Sequence, residues 1–418
     1  MKIRYLIIII IFSISFTAAS AQTFLGVRLG IDCLIDSDFD LLNWKRIGLL
    51  TNYTARTSAG ELTAEVFSKA ENVTLAAIFT PEHGFYANYS AGDAVANDNM
   101  FGVPVYSLYG SNRKPTRNQL EGCDAVVVDI QDIGIRSYTY ISTMYKMMEA
   151  CAENNVPVFV LDRPNPLGGS IVDGGTVTSG FESFIGIAPV AYVHGCTIGE
   201  LAKMFNEEGW LPKTKQGLPL KCDLTVIRMH GWQRSMIWEE TCLNWFPTSP
   251  NIPTVDAVRG AAMLGLFGEL GAYNIGIGTA LPFQYLGGVY FDCDKILKEL
   301  SGISFEGIEY FPVKYSSSLN KAQAKTLNGL LFRFYKSSSF APFSAGVELM
   351  LAIRRVNPSV FSNTSIGENN RTMFNKAAGG EELLNALVKK ATDDYVRRIA
   401  QKGLAQYLKI REKYLLYE

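Results

Sequence analysis

A carboxylate and an imidazole stand side by side in Pro81-Glu82-His83-Gly84-Phe85, directly after the apolar run Val73 to Phe79. That run reads as a buried strand, and the proline ends it because it cannot donate to a central sheet ladder. The chain has only three histidines, so one placed beside a glutamate in a loop is a candidate for proton transfer. The competing reading, of equal weight on local sequence, pairs Glu82 with an arginine and lets His83 cap a turn.

Polar residues gather in the same way where other apolar runs stop. Thr51-Asn52 follow Ile47 to Leu50, and Asp129, Gln131, Asp132 and Arg136 close the run Ala125 to Ile130. Asp162-Arg163-Pro164-Asn165 follow Val156 to Leu161. Between the runs lie amphipathic segments, Glu61 to Ala70 and Tyr138 to Glu153, so the pattern predicts an α/β fold with a parallel sheet flanked by helices. In such sheets ligands bind beyond the carboxyl ends of the strands, and polar clusters at four such ends predict a pocket there. Arg136 and Arg163 could each grip a substrate carboxylate through parallel hydrogen bonds, or each could pair with a neighbouring aspartate. An oxygen-ligated cation at Asp129 and Asp132 is a weaker alternative.

Further on, Thr197 and Glu200 form a capping box opening a helix to about Glu208, which makes Glu200 structural. His194, just ahead of the cap, has no such duty and joins the pocket candidates. Four of the five tryptophans fall between 210 and 245, followed by a proline-rich stretch containing Asn251. Large aromatics there read as a wedge between domains, with Asn251 as the polar exception. Val255 to Leu270 reads as a helix leading to the glycine-rich loop Gly276-Ile277-Gly278-Thr279. The last part, from about Tyr290, ends in helices over Glu381 to Tyr414, shows no chemistry of its own and reads as a smaller supporting domain that covers one side of the cleft.

The bounds on the chain are broad. Lys2 and Arg4, the apolar Leu6 to Phe16 and Ala19-Ser20-Ala21 make residues 1–21 an expected export leader, so the protein is expected in the periplasm or outside the cell. No later stretch is apolar enough to predict a membrane span. A net charge of −1 gives no reason to expect nucleic acid as a partner. Seven scattered cysteines form no C-x-x-C pair and read mostly as small buried residues, with one or two bridges left open. Neither a dinucleotide loop nor a Walker A sequence is present, and no cofactor is expected.

Taken together the motifs resemble the NamZ-type exo-β-N-acetylmuramidases, a glycoside hydrolase family. The resemblance is carried by Pro81-Glu82-His83-Gly84-Phe85, Pro104-Val105-Tyr106-Ser107-Leu108-Tyr109-Gly110 and Asp129-Ile130-Gln131-Asp132-Ile133-Gly134-Ile135-Arg136. Tyr138-Thr139-Tyr140, Leu161-Asp162-Arg163-Pro164-Asn165-Pro166, His194-Gly195 with Thr197 to Ala202, and Ser249-Pro250-Asn251-Ile252-Pro253 extend it in order along the chain. It implies a Rossmann-like domain (22–250) and a smaller α/β C-terminal domain (251–418) closing a cleft. It also implies release of N-acetylmuramic acid from the non-reducing ends of peptidoglycan fragments, with Glu82 as general acid/base. Two stretches depart from the family pattern: Glu269-Leu270-Gly271-Ala272 stands for E-G-T-N, and Ile277 replaces the arginine of G-R-G-T.

Glycoside cleavage ordinarily needs two carboxyl groups. Glu82, with His83 beside it, is the expected acid. Asp129, Asp132, Asp162 or the substrate's own acetamido group could fill the second role. Asn52, Gln131, Arg136 and Tyr138 are the first sugar-binding candidates, and Asp162, Arg163, Asn165, His194 and Asn251 the others. A non-catalytic periplasmic binder of amino sugars or muropeptides, or a hydrolase of another glycan, are the competing readings.

Overall fold

The computed structural model describes residues 26–89, 98–320 and 326–418; the expected leader lies outside them. Seven strands, β1 (Arg46–Thr51), β2 (Thr74–Thr80), β3 (Asp98–Met100), β4 (Val103–Ser107), β5 (Ala125–Asp129), β6 (Val158–Leu161) and β7 (Leu224–Ile227), form one sheet in the order β3-β4-β2-β1-β5-β6-β7. All neighbours are parallel except β3 against β4. Without the short β3 this is the doubly wound Rossmann order, and the winding reverses between β1 and β5.

Burial explains the parallel strands. Every residue of β5 is buried, as a strand covered by helices on both faces requires. The helix Tyr140–Asn154 covers one face, packing Ile141, Met144 and Met148 with Val126, Val128 and Val160. The helix Thr63–Lys69 covers the other, where Phe67 meets Leu49, Ile78 and Val127. Each such side chain contributes about 1.5–3 kcal/mol through burial.

A second body follows. The helix Val255–Leu270 packs against the helices Pro342–Val356 and Glu368–Ala378, beside an antiparallel sheet of β8 (Tyr285–Gly288), β9 (Ile308–Tyr315) and β10 (Leu327–Phe334) in the order β8-β10-β9. Leu264, Phe267, Phe332, Leu349 and Phe374 share its core.

Residues 404–418 leave that body and return to the first sheet. Tyr407 and Tyr414 are buried with Val158 and Leu201. The Tyr417 hydroxyl donates to Asp162 Oδ2 at 2.6 Å, and the Leu416 amide donates to Glu200 Oε1 at 2.8 Å. All seven cysteines are free. Among the described residues no helix is long and apolar enough to cross a membrane.

Candidate active site

β2 delivers Glu82 and His83 to the edge of a cavity of about 550 Å³. Beyond Pro81 the chain turns through two consecutive left-handed residues, His83 (φ 71°) and Gly84 (φ 72°). Such a conformation is sparsely populated for a residue with a side chain, although histidine tolerates it better than most. The turn is pinned where the Tyr53 amide donates to Phe85 O at 2.7 Å. His83 Nδ1 lies 2.7 Å from the Tyr89 carbonyl. A carbonyl only accepts, so Nδ1 carries the proton and Nε2 of the neutral ring is an acceptor. Glu82 is 6% exposed, and its Oε2 accepts the Thr139 hydroxyl at 2.6 Å.

The cavity lies between the two bodies. Glu82, His83, Tyr138 and Thr139 line it from the sheet domain, and Asn251 from the stretch that follows. Ala261, Gly265, Gly268 and Glu269 line it from the helix Val255–Leu270, and Met373 and Lys376 from the helix Glu368–Ala378. The last part of the chain, expected to cover one side of the cleft, supplies Met373 and Lys376 to its wall. Arg113 completes the lining, its guanidinium 4.5 Å above the Phe184 ring. The two tyrosines that follow β5 hold the opposite loop, since Tyr138 and Tyr140 each donate to Thr248 O at 2.8 Å.

Several expected pocket residues are elsewhere. Arg136 is wholly buried, and its guanidinium donates to Gly175 O at 2.6 Å, Val190 O at 2.7 Å and Ala377 O at 2.7 Å. It joins the two bodies and does not line the cleft. Arg163 grips Asp129 with two bonds, Nε to Oδ1 at 2.5 Å and Nη2 to Oδ2 at 2.8 Å. Thr63 also donates to Asp129 at 2.6 Å. This is the aspartate pairing weighed against carboxylate binding, and it commits Asp129 to a buried ion pair rather than to a cation or a sugar. Arg163 and Gln131 border a separate small cavity with Arg56 and Trp245. Gln131 is held by the carbonyls of Asp132 and Pro164.

The remaining carboxylates also serve the scaffold. Asp162 accepts from the Thr197 hydroxyl at 2.7 Å and the Gly199 amide at 2.8 Å, so it helps to cap the helix Ile198–Glu207. Thr197 and Glu200 form the expected capping box there, and Glu200 also receives Arg234 at 2.5 Å. Asp132 Oδ2 accepts from His194 Nε2 at 3.1 Å, and His194 Nδ1 accepts the Cys196 amide at 3.1 Å. His194 is therefore a buried strut, not a pocket ligand. Asn165 donates to Cys196 O, and Asn52 donates to the Tyr140 hydroxyl at 2.7 Å. Of the expected residues the structure brings Glu82, His83, Tyr138 and Asn251 into the cleft. Glu269, Arg113 and Lys376 join them without having been singled out for the site. The one-face spacing of Ala261, Gly265, Gly268 and Glu269 on the helix was the signal for the first.

Among the described residues no tryptophan lines the cleft. Trp232 and Trp238 are buried, and Trp238 packs edge-on against Trp245 at 5.1 Å. Ile277 and Ala272 do not line the cleft, whereas Ile275 does.

The family model described as exo-beta-N-acetylmuramidase NamZ, N-terminal, matches residues 47–256, and its C-terminal counterpart matches residues 262–417. A peptidoglycan beta-N-acetylmuramidase NamZ from Bacillus subtilis (strain 168) is 34% identical over 393 residues, spanning 94% of this chain and 91% of that protein. A crystal structure of a DUF1343 family protein from Bacteroides fragilis NCTC 9343 is similar with a TM-score of 0.86 at 34% identity, covering 94% of this chain and 100% of the other. A second such protein from the same organism gives a TM-score of 0.71 at 27% identity, covering 94% and 99%.

Proposed function

The chain belongs to the exo-β-N-acetylmuramidase NamZ family, and on that premise we propose that it is a glycoside hydrolase removing N-acetylmuramic acid from the non-reducing ends of peptidoglycan fragments. The observation that carries the reading is the placement of Glu82. A nearly buried carboxyl group stands at the carboxyl end of β2, at the rim of a cavity sized for a small ligand, with a hydroxyl donor fixing one oxygen. Such a group can pass a proton to or from the glycosidic oxygen or the attacking water. The apolar faces of Ile133, Tyr138 and Ile252 give a sugar ring its floor.

Muramic acid differs from glucosamine by a lactyl carboxylate. Arg113 and Lys376 are the lysine and arginine side chains that line the cleft, and they take the reading role expected of Arg136 and Arg163. The substrate is met outside the cytoplasm, consistent with the leader-like residues 1–21.

The test is incubation with a muramic acid–glucosamine disaccharide and with fragments whose non-reducing end is blocked. Release of free N-acetylmuramic acid from the first and none from the second is expected. Tight binding of the disaccharide without turnover would support the periplasmic binder instead.

A further inference from the structure

We propose that Glu269 is the second catalytic carboxyl group, giving its proton to the leaving oxygen across the cleft from Glu82; this rests on the muramidase reading above.

The helix Val255–Leu270 turns one face to the cavity, where Gly265 follows Ala261 by four residues, and Gly268 and Glu269 follow Gly265 by three and four. The first three are small and leave space in front of the fourth. Gly265 is fixed as glycine by its neighbour, because a Cβ there would stand 2.7 Å from the Tyr192 hydroxyl. A long acidic side chain at the end of that stripe is thus the functional group the helix offers to the cavity.

Glu269 gains nothing from this place as a structural residue. It lies in the last turn, just before the left-handed cap Gly271, where the helix dipole disfavours negative charge. Its surroundings include Ile275 and Phe283, and no salt bridge involving it is found among the described residues. Burial pushes its carboxyl above the ordinary glutamate value. Glu82 has different surroundings, since the Thr139 hydroxyl donates to its Oε2 at 2.6 Å. Two carboxyl groups from two walls of one cavity, one raised by burial and one held by a hydroxyl donor, match the pair that glycoside hydrolysis requires.

The step balances as follows. The C1–O bond breaks and its electron pair stays with the glycosidic oxygen, which takes the Glu269 proton. The oxygen of a water molecule bonds to C1, and Glu82 takes that water's proton. Solvent exchange then returns a proton to Glu269 and removes one from Glu82.

The experiment compares Glu269→Gln with the unsubstituted protein on the disaccharide and on an aryl β-muramide, whose leaving group needs little protonation. The expected loss in kcat is about 10²- to 10⁴-fold on the disaccharide and under about tenfold on the aryl glycoside. The alkaline limb of the kcat/KM profile should disappear in the variant. Binding of N-acetylmuramic acid by calorimetry and the Tm should stay near the unsubstituted values, and Glu269→Asp gives a second variant should the amide disturb the helix end. An active protein whose Glu269→Gln variant keeps disaccharide turnover within about threefold, or loses both substrates equally, overturns the acid role alone. An unsubstituted protein inactive on both substrates overturns the muramidase reading, and this inference with it.

Discussion

The Thr139 hydroxyl donates a hydrogen bond to Glu82 Oε2 at 2.6 Å, joining the residue that opens the helix Tyr140–Asn154 to the turn that ends β2. The strands that lead to these two elements, β2 and β5, flank β1, on either side of the point where the winding of the sheet reverses. One carboxylate oxygen is thereby fixed before any sugar arrives. A hydrogen bond to a charged group is worth roughly 1.5–3 kcal/mol. Thr139→Val should lower kcat by at least about tenfold with a small change in KM, and Thr139→Ser should restore most of it. Steady-state kinetics on a chromogenic muramide reads both, and an unchanged Thr139→Val variant would remove the positioning role.

Glu82→Gln keeps the size of the side chain but cannot exchange the proton. Loss of about 10²- to 10⁴-fold is expected on disaccharide and aryl glycoside alike, with a Tm close to that of the unsubstituted protein. Retained turnover would move the chemistry away from β2.

The ion pair of Asp129 with Arg163 predicts a different phenotype. Asp129→Ala leaves a buried guanidinium without its partner, which costs about 3–5 kcal/mol. Urea unfolding should show that loss, while the folded variant turns over substrate within a few-fold of normal. A stable but inactive Asp129→Ala protein would return this carboxylate to the catalytic list.

Arg113 and Lys376 should control the choice of sugar. Arg113→Ala and Lys376→Ala are expected to raise KM for a muramide by about tenfold, the value of one partly exposed charged contact, and to leave a glucosaminide nearly unchanged. Equal changes on both sugars would show that neither cation reads the lactyl carboxylate.

The scaffold was legible because it rests on local patterns. Four apolar runs became β1, β2, β5 and β6 within a residue or two at each end, and Thr197 with Glu200 made the capping box that their spacing announced. The site was half legible. Polar residues do gather at the strand ends, but there Arg163 turns to Asp129, Asp162 to Thr197 and His194 to Asp132, each satisfying a buried partner. A sequence shows the type of such a residue and not its direction. Glu269, Arg113 and Lys376 come from three separate segments, and only the packing of the second body on the first brings them to Glu82.

The return of residues 404–418 to the first sheet sets an order of events during biogenesis. Tyr417 bonds Asp162, Arg411 donates to the carbonyls of Gly169 and Gly195, and Tyr407 donates to His194 O at 2.9 Å. These contacts finish the region beyond β6, which is made some 240 residues earlier in the chain, so the first domain to emerge cannot settle until the last segment has been delivered. A polypeptide stopped before Leu404 would carry an open seam along its oldest part and stand exposed to proteases there. Delivery of residues 404–418, rather than the folding of either half, is what closes the molecule.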